Sequence, residues 1–486
     1  MLLSELLAGQ QIEASEENRS IEIKGIAYDS RQVGPDFIFV AIEGFKTDGH
    51  QFIDDAVSRG AVALLIQREV AVPDGISWAQ VRDTRQGLAL MAAQFYGFPC
   101  DKIKVVGVTG TNGKTTTTHM IRSVYSAAGK KTGLIGTINN MVGDRVLPVK
   151  HTTPESVDLQ KLMAEMVEEQ VEAAVMEVSS HALALKRVES CHFDIGVFTN
   201  ITQDHLDFHR DMDDYLSAKM KLLTGAGIAI INMDSEYSSR IISECAGKVV
   251  TYGVERQADI TARDISINPT GVSFIAIWPR GSIRVNMKLT GLFNVYNALA
   301  AFAVGIQEDM KAQDIKRALE ELEGVPGRFE LVNSGQPFAV IVDYAHTPDG
   351  LQNILATARE FTKGRLITVL GCGGDRDRTK RPLMGKIGVT MSDLAVITSD
   401  NPRTEDPEKI IEDVLEGVNE AKSTDYTIIE DRRSAIGHAI KLARAGDVVV
   451  IAGKGHETYQ EIDGKRTHFD DREEASIILT ELDGAQ

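Results

Sequence analysis

The sequence predicts an α/β protein of three domains, two of them built on open parallel sheets. A chain of 486 residues has room for about three domains of ordinary size. Apolar runs alternate with helical stretches in two separate parts of the chain, which is typical of βαβ units in parallel sheets. We expect a smaller N-terminal α/β domain over residues 1–98, a central parallel-sheet domain over 99–330 and a C-terminal Rossmann-like parallel sheet over 331–486.

The first two domains follow from apolar runs and the turns that separate them. Gly, Asp and Pro interrupt the N-terminal runs, and Gly97-Phe98-Pro99 predicts a linker. The central runs have the length and composition of buried strands. In chain order we predict apolar runs over 37–42 and 61–66, a helix over 87–96, strands over 105–108, 173–178, 195–199 and 228–231, an antiparallel stretch over 260–289, a helix over 294–304 and a closing loop over 324–327.

In the third domain, a charged or glycine-rich turn follows each predicted strand. Ligands of open parallel sheets bind at the carboxyl ends of the strands, so these turns predict a ligand-binding edge. A helix over 406–418 lies between two of the strands. The strands are predicted over 339–342, 366–370, 395–398 and 448–452, and the turns over 343–348, 371–377, 399–403 and 453–457.

Composition restricts the partners of the protein. The net charge of -18 opposes binding to nucleic acid, which requires a basic surface. No stretch approaches the roughly 20 apolar residues of a membrane span, and the N-terminus carries glutamates rather than a secretory signal. We expect a cytoplasmic monomer with no nucleic-acid partner and no membrane span. Four scattered cysteines without metal or disulfide spacing are expected to be reduced.

A phosphate-binding loop is the most specific motif of the sequence. Residues 108–117 read Val-Thr-Gly-Thr-Asn-Gly-Lys-Thr-Thr-Thr, after a predicted strand and before a helical pattern over 119–128. Glycines at 110 and 113 let backbone N–H groups converge on an anion, Lys114 can reach the β- and γ-phosphates, and the hydroxyl of Thr115 or Thr116 can hold Mg²⁺. Val108 stands where the usual motif has its first glycine. ATP or another nucleoside triphosphate is therefore the predicted ligand, and an ordinary glycine-rich turn is the less favoured alternative.

Polar clusters follow two further strands of the central sheet. Glu177 lies at the end of one strand, and His205 follows the next, flanked by Asp204 and Asp207. Both clusters are expected at the edge that carries the phosphate loop. A magnesium-binding role is favoured over a structural role for Glu177, whereas for His205 the two roles are equally weighted.

Lys219 is predicted to point inward from a helix over 215–223. Its neighbours three and four positions away are Tyr215, Leu216, Leu222 and Leu223, whereas those of Lys221 are small or polar. A buried ammonium is costly unless it is paired or loses its charge, so Lys219 is a candidate functional residue. Pairing with an acid, or extension of the side chain to solvent, is an equally weighted alternative.

Together with Gly-Leu-Phe-Asn-Val-Tyr-Asn at 291–297, these motifs resemble the Mur ligase family over nearly the whole chain. Members are ATP-dependent ligases that form amide bonds in the peptide of the bacterial cell wall, and so serve cell shape and division. The resemblance implies catalytic roles for Lys114, Glu177, His205 and Lys219. It also implies that Lys219 carries a carbamate derived from CO₂, and that Thr115, Glu177, His205 and this carbamate bind Mg²⁺.

The resemblance also assigns residues to the nucleotide and to a UDP-linked substrate. Tyr28-Asp29-Ser30-Arg31 is similar to the family's site for the UDP part of UDP-N-acetylmuramoyl peptides, although Gly34-Pro35-Asp36 replaces the usual Pro-Gly-Asp. The implied UDP-MurNAc-dipeptide residues are Ser30, Thr152, Thr153, Ser179 and Arg187. The implied ATP-binding residues are Gly110, Thr111, Asn112, Gly113, Lys114, Thr115, Thr116, Asn294, Asn297, Arg328, Asp343 and His346.

The added amino acid is implied by Asp400-Asn401-Pro402-Arg403, a version associated with meso-diaminopimelate. Arg376 and Arg403 can pair bidentately with its distal carboxylate, while Glu457 and Asn401 can bind its distal ammonium. L-Lysine lacks that carboxylate and would leave the arginines unpaired. The implied diaminopimelate-binding residues are Arg376, Asp400, Asn401, Pro402, Arg403, Gly453 and Glu457. The expected reaction passes through an acyl phosphate on the γ-carboxylate of D-glutamate.

Three alternatives remain at this point. A lysine-adding muramoyl ligase would share every motif except the box at 400–403. A folylpolyglutamate synthetase would lack the N-terminal domain that begins with the Tyr28-Asp29-Ser30-Arg31 motif. A regulatory nucleotide-binding protein would use the phosphate loop as a switch without catalysis.

Overall fold

The computed structural model describes residues 1–10, 13–14, 20–44 and 47–483. The chain folds into two compact units. The first comprises Met1–Gly107, Lys130–Gly196 and Gly225–Gly227, and the second comprises Val108–Gly129, Val197–Thr224 and Ile228–Gln486. Within the described ranges, no helix has the length and apolar character needed to cross a membrane.

The elements up to the helix after the phosphate loop are α1 (Leu3–Leu6), β1 (Glu13–Ala14), β2 (Gly25–Ala27), β3 (Phe37–Val40), α2 (Ile53–Ser58), β4 (Ala61–Ile66), β5 (Ser77–Gln80), α3 (Thr84–Phe95), β6 (Lys104–Thr109) and α4 (Lys114–Ala127). The central part continues with β7 (Thr132–Ile135), β8 (Asn140–Val142), β9 (Arg145–Leu147), α5 (Ser156–Glu168), β10 (Ala173–Glu177), α6 (Ser180–Ala184), β11 (Ile195–Phe198), α7 (Met212–Gly225), β12 (Ile228–Asn232), α8 (Ser238–Glu244), β13 (Lys248–Gly253), β14 (Ile260–Asn268), β15 (Gly271–Trp278), β16 (Gly281–Met287), α9 (Leu292–Gln307) and α10 (Ala312–Glu321).

The last part of the chain contains β17 (Glu330–Val332), β18 (Ala339–Asp343), α11 (Pro348–Phe361), β19 (Leu366–Leu370), α12 (Lys380–Met391), β20 (Leu394–Ile397), α13 (Pro407–Ala421), β21 (Tyr426–Ile428), α14 (Arg432–Leu442), β22 (Val448–Ala452), β23 (Tyr459–Ile462), β24 (Lys465–His468) and α15 (Asp471–Asp483).

The first unit contains a five-stranded sheet in the order β1-β5-β4-β3-β2. β2 to β5 are parallel, and β1 pairs antiparallel with β5. The central strand β4 is apolar along its whole length, as expected for a parallel strand covered on both faces. Val157 of α5 packs into the same core as Leu65 and Met91, so α5 belongs to this core. In the same unit β7 pairs parallel with β10 and antiparallel with β8, which pairs with β9.

The second unit contains the predicted change from parallel to antiparallel pairing. β12, β13 and β14 are parallel neighbours, whereas β14, β15 and β16 form an antiparallel meander. The helix predicted over 294–304 is α9, which is longer at both ends and buries small side chains such as Ala298 and Ala301. Four alanines in this helix allow close packing against the neighbouring strands.

The C-terminal sheet has the strand order β17-β18-β22-β19-β20-β21. Five strands are parallel, and β17 is an antiparallel edge strand that the sequence analysis did not predict. The four predicted strands β18, β22, β19 and β20 are direct neighbours, so their carboxyl ends lie side by side. Separate apolar cores cover the two faces of the sheet. This arrangement confirms the predicted open parallel sheet with its polar turns at one edge.

The four cysteines are free thiols, in agreement with the expectation from their spacing. Cys100 and Cys191 lie in the first unit with their Sγ atoms 2.8 Å apart. The hydrogen bond that Cys191 shares with Cys100, followed by burial, raises the pKa of Cys191 well above its usual value. A thiol with a raised pKa forms little of the reactive thiolate at neutral pH.

Candidate active site

The turn between β6 and α4 has the geometry of a phosphate-binding loop. β6 ends at Thr109 and α4 begins at Lys114, so residues 110–113 form the turn. Gly110 adopts a φ of +148°, and a Cβ there would stand 1.9 Å from Oγ1 of Thr199. Only glycine therefore fits at this position. The N–H groups of the first turn of this 14-residue helix, together with the helix dipole, favour an anion.

The side chains predicted to contact phosphates lie on the first turn of α4. The Lys114 ammonium donates to the carbonyl oxygens of Gly110 (3.0 Å) and Thr111 (2.6 Å), so it lies against the loop backbone. Thr115 is 3% exposed, and Nη2 of Arg328 donates to its Oγ1 over 3.1 Å. Two cationic groups and a hydroxyl thus converge where the helix begins.

Lys219 points into the protein from α7, as predicted. Its side chain is 1% exposed, whereas Lys221 on the same helix is exposed. Its Nζ donates to the Gly110 carbonyl over 2.7 Å and lies 4.4 Å from the centre of the Tyr215 ring. Burial, followed by the charge of Lys114, lowers the pKa of Lys219 well below its usual range. The side chain of Lys219 does not reach solvent, and the acid whose charge acts on it is Asp204.

Asp204 and His205 lie in the loop that follows β11. Asp204 is 4% exposed, and its Oδ2 lies 3.4 Å from Nε2 of His205 while its Oδ1 lies 3.5 Å from Nζ of Lys380. Burial acts to raise the pKa of Asp204, but the charges of Lys380 and His205 outweigh it and hold this pKa well below its usual range. Asp207 is exposed, so Asp204 is the acid that accompanies His205.

A cavity of about 570 Å³ opens beside the phosphate loop and suits a ligand of nucleotide size. Gly113 and Asn297 line it, and Oδ1 of Asn297 accepts the Thr117 hydroxyl over 3.1 Å. Asn294 lies behind Asn297, and its Oδ1 accepts from Nδ2 of Asn297 over 3.0 Å. Asn294 therefore orients Asn297. Lining residues that the sequence analysis did not single out include Asn200, Asp234, Glu255, Tyr296, Asp349 and Asn353.

Asp234 fixes one wall of this cavity. Its carboxylate accepts hydrogen bonds from the backbone N–H groups of Val254 (2.6 Å), Glu255 (3.0 Å) and Arg256 (2.7 Å) and from the Tyr296 hydroxyl (2.8 Å). These hydrogen bonds outweigh burial and lower the pKa of Asp234. The carboxylate therefore holds a loop after β13 against α9 rather than presenting free acceptors to a ligand.

Residues near β18 line the same cavity, among them Arg328 and Asp343. Oδ2 of Asp343 accepts the Phe329 N–H over 2.7 Å, and burial raises the pKa of Asp343. The Arg328 guanidinium lies 4.6 Å from the centre of the Tyr344 ring. Nδ1 of His346 lies 2.7 Å from the Tyr344 carbonyl, so this nitrogen carries the proton. Burial lowers the pKa of His346 to about 4, which leaves the ring neutral at pH 7.

In the first unit, most of the predicted dipeptide-binding residues form one hydrogen-bonded cluster around Glu177. Oγ1 of Thr153 donates to the Glu177 carbonyl over 2.8 Å and accepts the Ser179 N–H over 3.1 Å. Nη1 of Arg187 donates to the Thr153 carbonyl over 3.1 Å. The Glu177 carboxylate is fully buried and accepts the N–H (2.8 Å) and the hydroxyl (3.0 Å) of Thr137.

Thr152 and Ser30 are the other two predicted residues of this group. Oγ1 of Thr152 lies 3.1 Å from Oγ1 of Thr137, which places Thr152 in the Glu177 cluster. Ser30 is buried at the start of a short 3-10 turn, and the neighbouring Tyr28 hydroxyl donates to Asp158 of α5 over 2.7 Å. The UDP motif is therefore tied to the central part of the chain through α5.

Residues predicted to bind an amino acid meet at the carboxyl ends of β20 and β22. Oε2 of Glu457 accepts from Nδ2 of Asn401 over 2.8 Å. Nζ of Lys454 donates to Oδ1 of Asn401 (3.0 Å) and to Oε2 of Glu457 (3.3 Å), and lies 3.7 Å from Asp400. A Cβ at Gly453 would stand 2.6 Å from Oδ2 of Asp400, so glycine allows the two turns to approach. The predicted pair Asn401 and Glu457 thus already binds a protein ammonium.

Arg403 and Arg376 lie on neighbouring turns of this edge. Arg403 follows Pro402 with a φ of +55°, and its Nη1 donates to the Gly374 carbonyl over 2.6 Å. Arg376 is exposed, and its Nη1 donates to the Asp375 carbonyl over 3.0 Å. In the part of the chain that the structure describes, neither guanidinium has a carboxylate within ion-pair distance. Both therefore keep donors for an anionic group.

The predicted magnesium ligands are of several chemical types and do not form a cluster of acidic side chains. No group of three or more His, Cys, Asp and Glu side chains among the described residues is arranged to hold a metal. The predicted set combines the hydroxyl of Thr115, the carboxylate of Glu177, the imidazole of His205 and a modified Lys219. Hydroxyl, carboxylate and carbamate oxygens suit a hard ion such as Mg²⁺, so the donor chemistry fits. Glu177 belongs to the first unit, and its place in this set remains a prediction from the sequence.

Two buried lysines, Lys380 and Lys454, were missed as site residues by the sequence analysis. Lys454 stands between Gly453 and Gly455 in a predicted ligand-binding turn, and a lysine so placed was a usable signal. Lys380 begins α12, and its partner Asp204 is distant in the sequence, so no local pattern indicates the pair. Long-range ion pairs of this kind follow from the fold alone.

The fold and the site define a nucleotide-binding α/β protein with a second ligand-binding edge on its C-terminal sheet. Three family models match the chain: the Mur ligase family catalytic domain over residues 22–96, the Mur ligase middle domain over 108–305 and the Mur ligase glutamate ligase domain over 327–455. The chain belongs to the Mur ligase family. This result confirms the resemblance inferred from the sequence and the three-domain α/β fold.

Two relatives that match nearly the whole chain have the same name. The chain is 49% identical over 484 residues to a UDP-N-acetylmuramoyl-L-alanyl-D-glutamate--2,6-diaminopimelate ligase of Syntrophomonas wolfei, covering 99% of each chain. It is 48% identical to the ligase of the same name from Alkaliphilus metalliredigens, covering 95% and 94% of the two chains. A solved structure of a ligase of this name aligns with a TM-score of 0.70 at 33% identity, covering 99% of both chains.

Proposed function

We propose that the protein is an ATP-dependent ligase that joins meso-2,6-diaminopimelate to the γ-carboxylate of D-glutamate in UDP-MurNAc-L-Ala-D-Glu. The product is the UDP-MurNAc-tripeptide used in peptidoglycan synthesis. The observation that carries the proposal is 49% identity to a ligase of this name over 99% of both chains. The proposal includes the domain bounds 1–98, 99–330 and 331–486 for binding of UDP-MurNAc, ATP and the amino acid, respectively.

The first proposed step is phosphoryl transfer. The γ-carboxylate oxygen of D-glutamate attacks the γ-phosphorus of ATP, the bond to the β,γ-bridging oxygen breaks, and ADP leaves from an acyl phosphate. Lys114 and Arg328, which converge at the start of α4, are suited to hold the charge that develops on the phosphates. Neutral His346 adds no positive charge at pH 7, so in this proposal it contributes as a hydrogen-bonding group.

The second proposed step forms the amide. The neutral amine of diaminopimelate attacks the acyl carbon, phosphate leaves, and the amine loses a proton. Arg376 and Arg403 are proposed to hold the distal carboxylate of the amino acid, because each keeps guanidinium donors at the same sheet edge. The reaction requires three substrates to be brought together, so it depends on positioning more than on acid-base chemistry.

Magnesium and a carbamate on Lys219 are part of the proposal. Mg²⁺ would be held by Thr115, Glu177, His205 and the carbamate, and would screen the charge of the phosphates. The Lys219 ammonium first loses one proton; the neutral amine then adds to the carbon of CO₂ and releases a second proton, so a buried cation becomes an anion. The lowered pKa of Lys219 supports this step because the neutral amine is the nucleophile.

The proposed enzyme is a cytoplasmic monomer, since ATP is a cytoplasmic substrate and every proposed site residue comes from this chain. The two relatives that match nearly the whole chain are both named as diaminopimelate ligases. This shared name argues against folylpolyglutamate synthesis and against a regulatory switch without catalysis. Lysine addition is the nearest competing reaction, because it shares every step except recognition of the distal carboxylate.

The test is phosphate release by the purified protein with ATP, Mg²⁺ and UDP-MurNAc-L-Ala-D-Glu. We expect phosphate release to depend on meso-diaminopimelate. With L-lysine the release should be at least about 100-fold slower, because Arg376 and Arg403 then have no carboxylate to bind. Equal rates with L-lysine would overturn the assignment of the amino acid but would leave the assignment of the protein as a ligase intact. No release with either amino acid would overturn the proposed reaction.

A further inference from the structure

Lys454 is a fully buried cation within the proposed amino-acid site, and no part of the proposed reaction uses it. Its side chain is 0% exposed and comes from the Gly453-Lys454-Gly455 turn at the end of β22. Its Nζ has three oxygen partners, on Asn401, Glu457 and Asp400. A buried ammonium persists only with such partners, so these contacts are tightly specified by the fold.

The amide of Asn401 has one orientation in this network. Its Oδ1 accepts from Lys454 (3.0 Å) and from the Glu461 N–H (3.0 Å), while its Nδ2 donates to Glu457 (2.8 Å). A flipped amide would place an NH₂ group against two donors and an oxygen against a carboxylate. Without Lys454, one of the three groups that hold this orientation is lost.

Charge at the site also depends on Lys454. Asp400 and Glu457 supply two carboxylates, and the Lys454 ammonium leaves one net negative charge in the cluster. A single net negative charge matches a single ligand ammonium, whereas two unscreened carboxylates repel each other. Burial, followed by the charge of Asp400, raises the pKa of Glu457, and Lys454 acts against this rise.

We infer that Lys454 is a positioning residue for the amino-acid substrate, which orients Asn401 and Glu457 and keeps Glu457 ionised to bind the distal ammonium of that substrate. The inference rests on the proposed function and assigns to it a residue outside the set predicted from the sequence. The titratable and charged groups that act on Glu457 are Asp400, Lys454, Tyr344, Tyr459, Arg432 and Arg466.

The experiment compares Lys454→Met, Lys454→Gln and Lys454→Arg with the matched control Lys465→Met, an exposed lysine of β24. Both uncharged variants are expected to raise the KM for meso-diaminopimelate about 10- to 100-fold, because hydrogen bonds to a charged group are lost. The KM values for ATP and UDP-MurNAc-L-Ala-D-Glu should stay within about twofold, since Lys454 contacts neither proposed site. Lys454→Arg should recover part of the affinity.

The pH profile separates positioning from a structural role. In both uncharged variants the acid limb of kcat/KM for diaminopimelate should move to higher pH, because Glu457 loses the cation that favours its ionised form. Lys454→Gln keeps a hydrogen-bond donor and replaces Lys454→Met in the experiment if the latter does not fold. Thermal denaturation and ATP binding show whether each variant is folded.

Three outcomes would overturn the inference. An unchanged KM for diaminopimelate in folded, uncharged variants would show that Lys454 does not position the amino acid. An equal rise in KM for all three substrates would show that Lys454 has only a structural role. Wild-type protein that is inactive with every amino acid would remove the proposed function and the inference with it. The wild-type assay therefore distinguishes failure of the inference from failure of the reaction.

Discussion

The environment of Lys219 determines which chemistry this residue can perform. The sequence placed it on the apolar face of a helix, and the structure adds the Gly110 carbonyl and the Tyr215 ring as its neighbours. A carbonyl oxygen and an aromatic face accept an ammonium only weakly compared with a carboxylate, so the amine is easily deprotonated. The helical pattern could predict the inward direction, but not these partners, because they come from distant parts of the chain.

Removal of the Lys219 amine should abolish turnover without loss of nucleotide binding. We expect Lys219→Ala to lower the rate of phosphate release by about 100-fold or more, because the carbamate proposed to bind Mg²⁺ could not form. Added acetate or formate should restore part of the rate by supplying the missing carboxylate. Lys221→Ala, on the exposed face of the same helix, is the control and should behave as the wild type. Normal turnover in Lys219→Ala would contradict the carbamate proposal.

Specificity at the amino-acid edge should depend on Arg403. Arg403→Met is expected to lower kcat/KM for meso-diaminopimelate by about 100-fold and to leave the low value for L-lysine nearly unchanged, because only diaminopimelate has the distal carboxylate. Arg378→Met is the control, since Arg378 is exposed and already pairs with Asp413 at 3.0 Å. Competition kinetics with both amino acids give the ratio directly. An equal loss for both substrates would show that Arg403 does not recognise the carboxylate.

At the scale of elements, the sequence pattern was most informative where strands are buried on both faces. The predicted strands over 366–370 and 448–452 coincide with β19 and β22. The edge strand β17 and the separate β23–β24 hairpin were missed because they are short and partly exposed, so they lack a continuous apolar run. The phosphate-loop helix was predicted over 119–128, whereas α4 begins at Lys114. Its first turn consists of lysine and threonines, and threonine has a low helix propensity, so the pattern gave no signal there.

The phosphate loop should tolerate no side chain at Gly110. Gly110→Ala introduces a Cβ 1.9 Å from Oγ1 of Thr199 at a φ of +148°, so we expect a loss of about 3 kcal/mol or more in the free energy of unfolding and loss of ATP binding. Gly129→Ala is the control at the other end of α4, because Gly129 has a φ of +80° with no atom near the new Cβ. It should cost only about 1–2 kcal/mol and leave ATP binding intact. Chemical denaturation and titration with a fluorescent ATP analogue measure both quantities, and equal effects of the two substitutions would contradict the steric argument.

At the scale of the molecule, the second unit combines the phosphate loop with the C-terminal sheet. Nδ2 of Asn112 donates to Asp349 over 2.6 Å, and Lys380 at the start of α12 lies beside Asp204. Both residues of the Asp204–Lys380 pair are buried, with Asp204 4% exposed and Lys380 5% exposed. None of these contacts follows from sequence periodicity, since each joins residues more than 150 positions apart. The predicted strands and the polar turns that follow them indicate the two sheet edges, but only the folded chain shows which charges connect them.

Loss of the Lys380 ammonium should destabilise the second unit because it leaves Asp204 buried without its main cation. We expect Lys380→Met to lower the free energy of unfolding by about 3–5 kcal/mol at pH 7, and the double variant Lys380→Met/Asp204→Leu to recover most of this loss. The control Lys386→Met, from an exposed pair on the same helix, should change stability by less than about 1 kcal/mol.

The pH dependence of this effect has a definite sign. In the wild type the depressed pKa of Asp204 contributes stability above the usual carboxyl pKa, and this contribution is lost only as the pH falls through the lower folded pKa. In Lys380→Met the pKa of Asp204 rises, so the carboxyl group becomes neutral at mildly acidic pH and its burial costs less. The difference in unfolding free energy between wild type and variant should therefore shrink as the pH falls from neutral towards 3. Denaturant titrations between pH 7 and pH 3 measure it, and a difference that stays constant over this range would show that Asp204 is not the group left unpaired.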